Sequence, residues 1–134
     1  MLLTMSIRSH RDLKVWQKGV ALVDLIYELT ETFPKHELYG MASQLRRAAV
    51  SVPSNISEGN SRATARDNAN FLTNARASLA EIDTLLVVAH RRTYLKEEYL
   101  THTLALVDEL GRMTNGLRNK ILEAGDPGSR DPSR

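Results

Sequence analysis

The sequence predicts an all-α fold, an antiparallel up-down four-helix bundle, and three features predict it. Apolar residues recur at steps of three and four through four long segments. The connections between those segments are short, which sets consecutive helices side by side. Aromatic residues are only 5% of the 134-residue chain, which argues against an all-β domain. A chain of this length reads as one domain and buries roughly two-thirds of its extended surface, enough for a core without metals or disulfides. The bundle is expected over residues 12–124, between a flexible N-terminal segment, 1–11, and a disordered Gly/Pro/Ser tail, 125–134.

In the first helix Leu13, Trp16, Val20, Val23 and Tyr27 form one stripe, and Val15, Leu22, Ile26, Leu29 and Phe33 a second beside it. Asp12 is the expected N-cap, and Pro34 ends the segment. The second helix is expected from Leu38 to Glu58, with Leu38, Met41, Leu45, Ala48, Val52 and Ile56 inward and small residues allowing close approach. Pro53 inside it removes a backbone donor and predicts a kink or local break, and Gly59 is the expected stop. Thr64 caps the third helix, whose Leu72, Ala75, Leu79, Ile82, Leu86 and Ala89 keep the period without a fault. The fourth runs from Lys96 to Glu123, again with two adjacent stripes.

One stripe suffices for a bundle core, so the second stripes on the first and fourth helices are expected to need another surface. Val15, Leu22, Ile26, Leu29 and Leu106 are the resulting candidates for an oligomer interface. A single wide core face is the competing explanation.

Composition excludes several classes. The chain has no cysteine, so disulfides, thiolate nucleophiles and Cys-based zinc sites are absent, which suits a cytoplasmic protein. The start lacks the charge order of a signal peptide, and no run approaches the ~20 apolar residues of a membrane span. A net charge of +2 leans only mildly basic, and scarce aromatics offer no evident platform for stacking bases.

Catalytic patterns are missing. None of His10, His36, His90 and His102 follows a glutamate by three residues, as di-iron bundles require, and no His-Glu-x-x-His motif occurs. No arginine stands four to six residues before a histidine, the spacing used by the architecturally similar helical ribonucleases of the HEPN type. Phosphate-binding loop and nucleophile-elbow motifs are absent as well. The expectation is a protein with no catalytic site, no metal and no cofactor. The polar residues that stand out are Gln44, Asn55, Glu58 and Gly59, expected to form a structural cluster in which Asn55 and Glu58 bond backbone groups freed by Pro53 or an arginine of a neighbouring helix. The exposed-type cations Arg46, Arg47, Arg62, Arg66, Arg91 and Arg92 are candidate phosphate contacts.

Three segments, RDLKVWQKG, FPKHELYGMASQLRRAAVSVPSNISEGNSR and FLTNARASLAEIDTLL, and the spacing between them carry a family resemblance. The chain resembles the four-helix-bundle proteins also called 23S rRNA-intervening-sequence proteins, from about Arg11 to Leu122. It departs at Met41, where leucine is usual, and at Ser57, where alanine is commoner. The resemblance implies an antiparallel bundle that assembles as a homopentamer, often with a central pore and a basic surface. Related accessory proteins of diversity-generating retroelements bind reverse transcriptase and nucleic acid. The implied partners are therefore further copies of the chain and RNA or DNA; the alternative is a protein-interaction scaffold with no nucleic-acid role.

Overall fold

All four segments with the three-and-four spacing are helical in the structure, a computed structural model that describes residues 9–127. Helices α1 (Lys14–Glu31), α2 (Met41–Asn60), α3 (Ala65–Arg91) and α4 (Glu97–Ala124) pack as an all-α four-helix bundle, with no strand among the described residues. Short 3-10 turns at His10–Asp12 and Lys35–Glu37 precede α1 and α2. Most of the expected flexible segment, and most of the expected tail, lie outside the described residues. Within the latter, Asp126 Oδ1 accepts from the Ala65 amide at 2.8 Å, joining the end of α4 to the start of α3.

Residue pairs across each seam fix the helix directions. Gly19 meets Pro53 while Thr30 meets Arg46, so α1 and α2 run oppositely. Gly59 lies against Asn68 and Phe71 while Ser51 bonds Ser78, the same relation for α2 and α3. Arg118 Nε donates to Thr73 Oγ1 at 3.0 Å, consistent with the Asp126–Ala65 bond at the end of the same seam.

The core holds Leu22, Ile26, Leu45, Val52, Ile56, Leu72, Ile82, Leu86 and Leu110, all essentially free of solvent. Each such side chain contributes about 1.5–3 kcal/mol on burial. Ala42 and Ala49 of α2 and Ala75 and Ala89 of α3 are buried among them. The threonines buried between them are satisfied locally: Thr103 and Thr114 each donate to the carbonyl four residues earlier, at 2.7 Å.

Several boundaries depart from expectation for local reasons. Asp12 lies in the 3-10 turn, and Leu13, which makes no side-chain cap, precedes α1. Thr64 does cap α3, accepting from the Asp67 amide at 3.1 Å. Leu38 is exposed and α2 begins three residues later, because Pro34 sets up the 3-10 turn and the chain bends at Gly40. Pro53 causes no break, since α2 is continuous through it. The ring is buried against α1, where a Cβ on Gly19 would stand 3.5 Å from the Pro53 Cβ.

Candidate interaction surface

Val15, Leu22, Ile26 and Leu29 are core residues of a single chain, which corrects their assignment to an oligomer interface. Two adjacent stripes on α1 are equivalent by period, and packing turned this one inward. Of the other stripe, Leu13, Trp16 and Val23 are partly buried against the edge of the core, and Tyr27 is 41% exposed. Leu106 on α4 is partly buried against the core.

The six arginines do not converge. Arg46 is half-buried; its Nε donates to Thr30 Oγ1 at 2.8 Å and its guanidinium lies 4.7 Å over the Tyr27 ring. It therefore ties α1 to α2 through a hydroxyl and an aromatic face. Arg62 pairs with Glu58 at 2.8 Å and covers the Phe71 ring at 4.5 Å. Aromatic faces do stand beside two of the arginines, contrary to the impression that composition gives, and the guanidinium groups occupy them. Arg47, Arg66 and Arg91 are exposed and form no hydrogen bond or ion pair among the described residues. Arg62 and Arg66 lie at one end of the 27-residue α3, and Arg91 and Arg92 at the other, roughly 40 Å away.

The expected polar cluster is also dispersed. Gln44 is exposed, and Glu58 is exposed in its i,i+4 pair with Arg62. Asn55 Nδ2 donates to the Ser51 carbonyl at 2.8 Å, within its own helix, and not to a group freed by Pro53. Gly59 sits within α2 and does not terminate it. A Cβ there would lie 3.0 Å from both the Asn68 carbonyl oxygen and the Phe71 Cβ, so α3 approaches too closely for any side chain.

A different group of residues forms the most distinctive surface. Tyr39 is 93% exposed, and Leu38 (46%), Val50 (42%) and Tyr27 (41%) are also exposed. Leu38, Tyr39, Val50, Tyr27, Arg46 and Arg47 line one shallow groove of about 420 Å3 on the α1–α2 face. Tyrosine and arginine side chains around a depression are the composition of protein-interface anchors. Sequence reasoning missed Tyr39 because it sits outside every helical stripe. An aromatic immediately before Gly40, with no place in the period, was the available signal.

On the other flank of α1 a larger cleft, about 740 Å3, opens between α1 and the α3–α4 turn. Leu25, Leu29, Leu95 and Tyr99 give it apolar walls, and Glu28 and Glu97 give it carboxylates. Tyr94 forms one wall and is held in place. Its ring tilts against Phe33 at 5.6 Å and its hydroxyl donates to Glu37 Oε2 at 3.0 Å. The Met41 amide and Tyr94 hydroxyl hold the Glu37 carboxyl below the usual carboxylate range, with His36 and Arg92 adding to the effect. Among the described residues no three His, Asp or Glu side chains are placed to hold a metal ion. No helix there is long and apolar enough to cross a membrane.

No curated protein matches the chain. Among solved structures, a protein of unknown function from the S23 ribosomal protein family of Bacteroides thetaiotaomicron VPI-5482 superposes with a TM-score of 0.73 at 20% identity. The alignment covers 78% of this chain and 95% of that one, and at such identity it supports the fold alone. The sequence match is more specific, since it spans residues 11–116, from the 3-10 turn before α1 well into α4. With that extent of match on a four-helix bundle, the chain belongs to the 23S rRNA-intervening sequence protein family.

Proposed function

We propose that the chain is a non-catalytic, self-assembling bundle whose groove on the α1–α2 face is its assembly surface. The observation that carries this is Tyr39, a whole aromatic side chain held in solvent beside exposed Leu38, Val50 and Tyr27. Large apolar side chains clustered this way mark association sites. The sequence carries no di-iron, zinc, phosphate-loop or nucleophile-elbow motif, which supports the non-catalytic reading. The family resemblance adds the expected stoichiometry, a ring of five. Light scattering coupled to gel filtration tests this: wild type should elute near five chain masses, and Tyr39→Asp near one with an unchanged helical spectrum. A wild-type monomer at micromolar concentration would overturn the proposal.

A nucleic-acid role is the second reading, and the unbonded Arg47, Arg66 and Arg91 favour it. Spread over a bundle, they make phosphate contacts plausible only when symmetry repeats them around a rim. Affinity for RNA or DNA should then fall on the order of a thousandfold between 50 and 200 mM salt if six or more phosphates are engaged. An anisotropy titration of wild type against an Arg66→Ala/Arg91→Ala variant checks it, and no binding at 50 mM salt removes this reading.

A further inference from the structure

We infer that the assembly is head-to-tail, with the Tyr39 face of one copy seated in the α1/α4 cleft of the next. This rests on the self-assembly proposed above and adds the counter-surface. The two faces lie on opposite flanks of one helix. At about 100° per residue, Leu25 and Thr32 of the cleft stand roughly 140–160° around α1 from Tyr27 of the groove. A single chain can therefore present both faces at once without overlap. Two different faces meeting, copy after copy, is the contact that closes a ring, whereas one face meeting itself stops at a pair.

Charge and shape agree with this pairing. The Tyr39 face carries Arg46 and Arg47 and no carboxylate, so two copies of it brought face to face would oppose like charges. The cleft carries Glu28 and Glu97 against one lysine, Lys96, and neither carboxylate has a hydrogen bond or ion pair among the described residues. Its volume, about 740 Å3, accommodates a tyrosine ring with a flanking leucine, and its apolar walls supply the contact that Tyr39 and Leu38 lack within their own chain. The cleft is pre-formed, because Tyr94 is fixed by Phe33 and Glu37.

The test uses complementary variants of the full chain. Tyr39→Asp disables the inserting face; Glu28→Arg/Glu97→Arg reverses the charge of the cleft; Thr32→Trp fills the cleft without altering charge. All four positions are exposed, and far-UV circular dichroism with thermal melting confirms folding. Each variant alone should run at one chain mass. An equimolar mixture of Tyr39→Asp with either cleft variant should form a two-chain species and stop there, because one intact contact remains. If both cleft variants assemble like wild type, or if the mixtures stay at one chain mass, the head-to-tail pairing is overturned. Normal assembly of the cleft variants would leave the cleft as a site for a small ligand. A monomeric wild type instead overturns the self-assembly itself, so the two failures are distinct.

Discussion

The Tyr94 hydroxyl donates to Glu37 Oε2 at 3.0 Å, joining the α3–α4 turn to the connection between α1 and α2. The other oxygen of the same carboxylate accepts from the Met41 amide at 3.2 Å, at the first residue of α2. One side chain thus caps a helix and closes the end of the bundle. A Cβ on Gly40 between them would lie 2.6 Å from Glu37 Oε1, so a side chain there would displace that carboxylate oxygen.

Acid should expose this link. The folded-state pKa of Glu37 is lowered, chiefly by the Met41 amide and then by Tyr94, so its ionised form is favoured by folding. That contribution is present above the unfolded-state value, ordinarily 4.5, and is lost as pH falls through the lower folded-state value. Glu37→Gln should melt below wild type at neutral pH, and the difference should close as pH drops below the ordinary carboxylate range. A gap that is constant with pH would show that ionisation is not involved.

Gly59→Ala should be more damaging than Glu58→Ala. The new methyl group meets backbone and the Phe71 Cβ at 3.0 Å, and overpacking of this kind costs about 1–3 kcal/mol. Better helix propensity recovers up to about 1 kcal/mol of that. Glu58 loses only an exposed pair with Arg62, about 0.3–0.5 kcal/mol. Urea midpoints of the two variants decide the order.

Thr93→Gly should stabilise the fold. Thr93 has φ of 66°, a left-handed conformation that a β-branched residue adopts at a cost of about 1–2 kcal/mol. It occupies the reversal after α3, where its amide bonds the His90 carbonyl and the Tyr94 amide bonds the Ala89 carbonyl. Glycine keeps both bonds without the strain, so a gain of about 1 kcal/mol is expected in chemical denaturation.

Gly111→Ala and Gly116→Ala should each stabilise the single chain by about 0.5–1 kcal/mol. Both lie inside α4, and a Cβ at either position meets nothing within 4 Å. Measuring the melts in a monomeric background such as Tyr39→Asp separates this effect from assembly.

The sequence alone determined the four helices, the cap at Thr64 and the single core, because helix period, capping and chain length are local properties. Its period also showed that α1 has two apolar stripes. Which one faces inward depends on rotation about the helix axis, and that is set by partners far along the chain, Pro53 against Gly19 and Arg46 against Thr30. Val15, Leu22, Ile26 and Leu29 therefore became core, and Tyr27 became surface. Gly59 looked like a helix stop because glycine commonly ends helices; only the packing of α3 on α2 revealed a close approach instead. Tyr39 was invisible to periodic reasoning, since exposure is a property of what surrounds a residue, and α2 starting after Gly40 is what leaves it in solvent. Local spacing chose the elements; long-range packing chose the faces on which any function must act.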